Sequence, residues 1–197
     1  LPATVLPQAL EVFNRTALEV CEGQQWDMDF EIDPEVQEGQ YIQMIRYKTS
    51  VLLGCALELG VLAAGGSLTI GKALYAFGLE LGTSFQIHDD ILDAFGDPVL
   101  VGKQVGGDIL SNKKTILWIH LSTQQPHLVN EWMNDRSAEK VEAIKTAMVQ
   151  SGSLAHAEAK RKYHFDLALE ALRQAQQEGC STQDLAELAH WIFQRKA

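Results

Sequence analysis

Apolar residues recur at spacings of three and four along most of the chain, the pattern of helices that bury one face. Leu6, Leu10, Phe13, Ala17 and Val20 form such a stripe in the first segment; Tyr41, Met44 and Ile45 form another that runs toward Lys48. Asp33 followed by Pro34 predicts a helix N-cap with proline in the first turn. The apolar run from Val51 to Ala64 reads as a buried helix that Gly65-Gly66-Ser67 breaks. Leu74, Phe77, Leu81, Phe85 and Leu92 give the next helix, over residues 70–95, its apolar face. Gly78 and Gly82 lie on one side of it, where the lack of side chains would let a second helix approach closely. Gly96 and Pro98 end that helix, and the glycine-rich stretch from Gly96 to Asn112 reads as a loop. Later helices are expected near 113–122, 137–150, 153–178 and 181–195, the last opening on a capping-box-like Ser181-x-x-Asp184. Strand-like alternation, internal repeats and low-complexity linkers are absent, so the pattern predicts one all-α domain over 1–197.

Composition narrows the function classes. Hydrophobic residues make up 46% and charged residues 21% of 197 residues, which suits a globular domain with a real core. A net charge of −10 with no basic stripe argues against nucleic acid as a partner. The longest apolar run contains Glu58 and is too short to span a bilayer. The chain opens at Leu1 with no basic stretch before an apolar segment, so no signal peptide is expected. Cys21, Cys55 and Cys180 lie far apart, which predicts neither structural zinc nor a disulfide framework and makes a reducing cytoplasm the default setting. Trp118, Trp132 and Trp191 read as core anchors, and His156, Lys160 and His164 as one solvated helix face.

Chemistry concentrates in Phe85-Gln86-Ile87-His88-Asp89-Asp90-Ile91-Leu92-Asp93. Asp89, Asp90 and Asp93 fall within about one helical turn, so like charges crowd one another among apolar neighbours, and a divalent cation would relieve the repulsion. Hard oxygen ligands of this kind suit Mg²⁺. An acidic, solvent-facing helix end is the plain alternative. Three features favour the metal site: Gln86 shares the aspartates' face, Arg46-Tyr47-Lys48-Thr49 ends another helix, and Gly102-Lys103 and Lys113-Lys114 follow in a glycine-rich stretch suited to phosphate. His88 is a packing or hydrogen-bonding residue rather than a ligand.

In this combination the sequence resembles the trans-isoprenyl diphosphate synthases. Phe85-Gln86-x-x-Asp89-Asp90-x-x-Asp93, then Gly102-Lys103, Gly107-Asp108 and Lys113-x-Thr115, is similar to that family's second aspartate-rich region. Upstream, Gly23-Gln24-x-x-Asp27 and Lys48-Thr49 match in order, with an overall flavour closest to bacterial farnesyl or geranylgeranyl diphosphate synthases. The resemblance implies an isoprenoid-synthase-type helical bundle around a central cavity and a homodimer. It further implies prenyl transfer: an allylic diphosphate bound through Mg²⁺ ionises, and isopentenyl diphosphate attacks the carbocation. By carry-over, Asp89 is the principal metal ligand with Asp90 and Asp93 in support. Lys48, Lys103 and Lys113 contact the diphosphate, Thr49 and Gln86 lie near the developing carbocation, and Asp108 partners a lysine or a metal-bound water. Phe85, Phe77, Leu81 and Leu52 are candidates to line an apolar chamber, with core packing the plainer role for most of them.

The sequence departs from the family upstream. The first aspartate-rich motif, its arginine pair and the Gly-Lys-Arg site for isopentenyl diphosphate are not found, and the acidic cluster from Asp27 to Asp33 lacks their spacing. The expectation is therefore the C-terminal two-thirds of a synthase, lacking its N-terminal helices, that binds Mg²⁺ and diphosphate weakly and turns over no substrate. A class I terpene synthase, or a non-catalytic helical subunit of a prenyltransferase, is the alternative. Arg195-Lys196 is either a closing basic tail or a solvated end.

Overall fold

One 28-residue helix, Leu68–Phe95, organises the molecule. The computed structural model describes residues 4–97 and 106–195, and among these the regular elements are helices. In chain order they are α1 (Leu6–Ile32), α2 (Glu38–Ile45), a π-helical turn (Arg46–Ser50), α3 (Val51–Ala63) and α4 (Leu68–Phe95). Then come α5 (Gly107–Leu110), α6 (Ile116–Gln124), α7 (Pro126–Trp132), α8 (Ala138–Gln150), α9 (Ser153–Gln177) and α10 (Gln183–Gln194). The helix α7 is not evident in the apolar pattern; Pro126 in its first turn starts it. The expected all-α reading holds.

Helix α4 starts where Ser67 Oγ accepts the Ile70 N–H at 3.2 Å, a side-chain cap that replaces a missing helical partner. It lies chiefly between α9 and α3. Gly78 and Gly82 make the α3 side of that sandwich possible. A Cβ on Gly78 would stand 2.7 Å from the Gly54 backbone nitrogen, and one on Gly82 would stand 2.8 Å from the Ser50 Cα. Phe77 and Leu81 pack with Phe165, Ala168 and Leu172 of α9, as core rather than as a chamber wall. A second cluster gathers Tyr41, Ile45, Ile87, Ile91, Trp118, Ile144 and Met148 around the far half of α4.

Several local expectations give way to tertiary contacts. In α1 the buried residues are Ala9, Val12, Thr16 and Gly23, whereas Leu6, Leu10, Phe13 and Leu18 are exposed, Phe13 by 57%. That face is set by α3, where Val12 packs with Cys55 and Leu62, and by the π-helical turn, which crosses α1 so closely that a side chain on Gly23 would strike the Tyr47 and Lys48 backbone. Asp33 caps no following helix. Its carboxylate accepts the Glu35 N–H at 2.8 Å in a loop, and α2 begins only at Glu38, where Gln37 and Gln40 close a reciprocal capping box. The last helix begins at Gln183 with Thr182 as its N-cap, not at Ser181. Trp191 is 69% exposed and anchors no core, because α10 meets the bundle along its Ala189 side. His164 is buried, not solvated: Nδ1 lies 2.6 Å from the Glu80 carboxylate, which also takes Arg46 at 2.5 Å. Leu52 points outward and is half exposed.

Candidate active site

Helices α2 and α3 form one continuous rod interrupted by the π-helical turn Arg46–Ser50, and this turn carries Lys48 and Thr49. The extra residue of a π-turn re-aims side chains that an unbroken α-helix would place elsewhere. Ser50 anchors the turn on α4, with its Oγ 3.1 Å from Thr83 Oγ1. Lys48 Nζ lies 2.5 Å from the Asp27 carboxylate on α1, and Thr49 Oγ1 donates to Gln86 Oε1 at 3.1 Å. Gln86 in turn donates its amide N–H to Asp90 at 3.3 Å. These groups, with Tyr41, Lys113 and Lys114, line a polar cavity of about 30 Å³.

Asp90 is the buried centre of the site, 3% exposed. The Tyr41 hydroxyl donates to it at 2.6 Å. Burial raises its carboxyl to about 7, although the Lys113 ammonium and the Tyr41 and Gln86 hydrogen bonds pull the other way. Tyr41, wholly enclosed and facing that carboxylate, holds its own proton far more tightly than an ordinary phenol. The nearby Asp90, Asp108 and Asp27 charges hold the Lys113 ammonium protonated despite burial.

The other two aspartates diverge. Successive helical residues turn by about 100°, so Asp89 and Asp90 leave α4 in different directions. Asp89 faces outward, 41% exposed at its side chain, where Arg195 lies 3.2 Å away. Asp93 lies under the short helix α5: its side chain accepts the Asp108 N–H at 2.9 Å and its backbone carbonyl accepts the Gly106 N–H at 2.6 Å. No three carboxylates, imidazoles or thiols converge on one point among the described residues. Asp89, Asp90 and Asp93 thus face three different surroundings. Asp108 also lies 3.4 Å from Lys113, the lysine partnership expected of it.

Lys103 lies outside the described residues, as do Gly102 and Pro98. Of the other site residues expected from sequence, Lys48, Thr49, Gln86, Asp90 and Lys113 share the cavity, while Asp89 and Asp93 flank it. One participant carried no signal in the sequence. Tyr41 reads as one more apolar stripe residue, since its partner lies 49 positions away. Arg195 sits over the Phe85 ring, 4.1 Å from its centroid, and against Asp89, so it folds onto the site rather than ending in solvent. His88 is buried, and burial together with the Arg161 and Arg195 charges lowers its imidazole to about 4, which leaves it neutral near pH 7.

An all-helical bundle with an aspartate-rich central helix facing a Lys-Thr turn across a polar cavity defines the class of isoprenoid-synthase folds. Residues 3–150 match the model of the polyprenyl synthetase family, and the chain belongs to that family. It is similar to a geranylgeranyl pyrophosphate synthase of Geoglobus acetivorans, 32% identical over 98% of this chain and 60% of the relative. It is also similar to a geranylgeranyl diphosphate synthase of Methanosarcina mazei, 35% identical over 78% of this chain and 47% of the relative. A solved geranylgeranyl pyrophosphate synthase superposes with a TM-score of 0.90 at 36% identity, covering 100% of this chain and 63% of that one. A geranylgeranyl pyrophosphate synthetase from Pyrococcus horikoshii gives 0.85 at 30% identity over 99% and 61%. The chain thus spans about 60% of the length of the first of these relatives.

Proposed function

We propose that this chain carries the diphosphate-binding and ionising side of a short-chain isoprenyl diphosphate synthase site. The reaction is the head-to-tail condensation of isopentenyl diphosphate with an allylic diphosphate. The observation that carries this reading is the convergence of Lys48, Thr49, Gln86, Asp90 and Lys113, from three separate elements, on one cavity. The names of the similar synthases supply the substrate class.

In this reading Lys48 and Lys113, with Lys103, bind the diphosphate and neutralise charge that builds on it as the allylic C–O bond breaks. The Thr49 hydroxyl and the Gln86 carbonyl, already aligned on each other at 3.1 Å, present oxygen dipoles to the positive allyl fragment. The aspartates fit Mg²⁺. Their hard oxygens differ in exposure, with Asp89 open to water, and a cation beside buried Asp90 would offset the desolvation that disfavours its charged form. Because the three do not form a closed cage, Asp89, with Asp90 and Asp93 in support, would hold an ion that shares its shell with water and diphosphate. When bound, Mg²⁺ supplies the charge neutralisation that makes diphosphate a leaving group.

The exposed stripe of Leu6, Leu10 and Phe13 supports association with a second copy as a homodimer. Among the described residues no helix is long and apolar enough to cross a membrane. Thermal unfolding of the 197-residue chain with inorganic pyrophosphate, with and without Mg²⁺, tests the site. A rise in Tm that needs both components is expected. Equal melting under all conditions would refute the site and favour a non-catalytic helical subunit.

A further inference from the structure

Lys140 is wholly buried, yet among the described residues no carboxylate receives its ammonium. Nζ donates to the Asn112 side-chain oxygen at 2.6 Å and to the Asp135 carbonyl at 3.1 Å, with the Trp118 ring centroid 5.7 Å away. A cation here is costly twice over. It is removed from water without a counter-ion in hydrogen-bond contact, and it sits in the first turn of α8, where the helix dipole repels positive charge. Stability alone would favour an apolar residue here.

What the ammonium holds is a turn. Asn112 has φ 57°, the one positive φ outside glycine among the described residues. A left-handed asparagine is tolerated but costs roughly 1 kcal/mol, so the conformation must be held from outside. It is held at three points: Lys140 on the side-chain oxygen, the Met133 carbonyl accepting the side-chain N–H at 2.8 Å, and Lys114 Nζ on the Asn112 carbonyl at 3.0 Å. The reversal at Asn112 brings the next residue back over α5. The Lys113 N–H reaches the Asp108 carbonyl at 2.9 Å, and the Lys113 side chain lines the cavity with Asp90.

We propose that Lys140 is a positioning residue for the diphosphate site: it fixes the Asn112 side chain and, through the left-handed turn, aims Lys113 into the cavity. The proposal rests on the reading of Lys113 as a diphosphate ligand. It concerns a lysine 27 positions downstream that never touches the cavity.

The experiment uses the 197-residue chain and four variants: Lys140→Met, Asn112→Gly, Asn112→Ala and the double Lys140→Met/Asn112→Gly. Local hydrogen exchange and Mg²⁺-pyrophosphate affinity are the readouts. Lys140→Met should speed exchange of the Lys113 and Thr115 amides by about tenfold or more, with α4 and α9 amides unchanged, and weaken affinity by about tenfold. Glycine enters positive φ without a tether, so the double variant should recover most of both losses. Unchanged exchange at Lys113 and Thr115 in Lys140→Met, or a double variant no better than the single, overturns the proposal. Should Lys140→Met fail to fold, the asparagine pair decides: Asn112→Gly should bind and exchange like the parent and Asn112→Ala should not, and equal behaviour overturns the proposal. A parent chain that binds no pyrophosphate overturns the site reading instead, while the exchange data still judge the turn.

Discussion

At the scale of single residues, the site shows how burial assigns different work to chemically identical groups. Asp89 and Asp90 are neighbours in sequence, but one meets water and Arg195 while the other is enclosed by Tyr41 and Gln86. Lys113 is the cation whose charge most stabilises ionised Asp90. Replacing it with methionine should weaken Mg²⁺-pyrophosphate binding by about tenfold to a hundredfold, the worth of one charge-assisted hydrogen bond. Titration calorimetry checks this, and an unaltered affinity would remove Lys113 from the site. A second residue-scale prediction concerns Glu38. Desolvation works to raise its carboxyl, but hydrogen bonds from Lys160 and His156 prevail and hold it below the ordinary range. A depressed carboxylate stabilises the fold above its unfolded pKa and loses that contribution as pH falls through the folded value. The stabilisation from this cluster should therefore be present above about pH 4.5 and fade below it. Melting curves from pH 6 to pH 3 should show a shallower acid limb for Glu38→Gln than for the parent.

At the scale of elements, glycine placement sets how closely helices pack. A methyl group on Gly78 would meet Gly54 and Leu53 backbone atoms at 2.7 Å, and backbone cannot step aside as a side-chain tip can. Gly60 on α3 has nothing within 4 Å of such a methyl. Gly60→Ala should therefore stabilise by up to about 1 kcal/mol through helix propensity, whereas Gly78→Ala should destabilise by about 1–3 kcal/mol. Denaturant titration of both variants gives the two signs directly. Two substitutions of the same sign would mean that the α3–α4 distance is not what these glycines are for. The π-helical turn is a feature of this scale too: it lets Lys48 and Thr49 look into the cavity while Ser50 stays locked on α4.

At the scale of the molecule, α1 presents exposed apolar side chains to solvent. Leu10 is 49% exposed, Phe13 57% and Leu18 67%, more than an isolated helix face in water favours. If that face joins two copies, Leu10→Lys with Phe13→Glu should convert a dimer into a monomer without lowering pyrophosphate binding. Sedimentation velocity reads the first outcome and calorimetry the second. A parent chain that sediments as a monomer at all concentrations would refute the homodimer.

Sequence by itself determined a good deal. The all-α class, the break at Gly65-Gly66, the close-packing role of Gly78 and Gly82, and the extents of α8 and α9 follow from local spacing and propensity, which act within a turn or two of the chain. The motif at Gln86, Asp89, Asp90 and Asp93 was legible for the same reason. Which face is inside was not: α1 has apolar residues on both sides, and contact with α3 and the π-helical turn selects Ala9, Val12, Thr16 and Gly23 for burial. Nor could spacing reveal that His164 is buried against Glu80, that Tyr41 reaches Asp90, or that Arg195 returns to Asp89, because these partners lie 84, 49 and 106 positions apart. The three aspartates close together in sequence are likewise sent to three different environments. Helical geometry separates their directions, and α5, α2 and the chain after α10 then claim one each. Local sequence fixes which groups are available; the packing of distant segments fixes which of them meet.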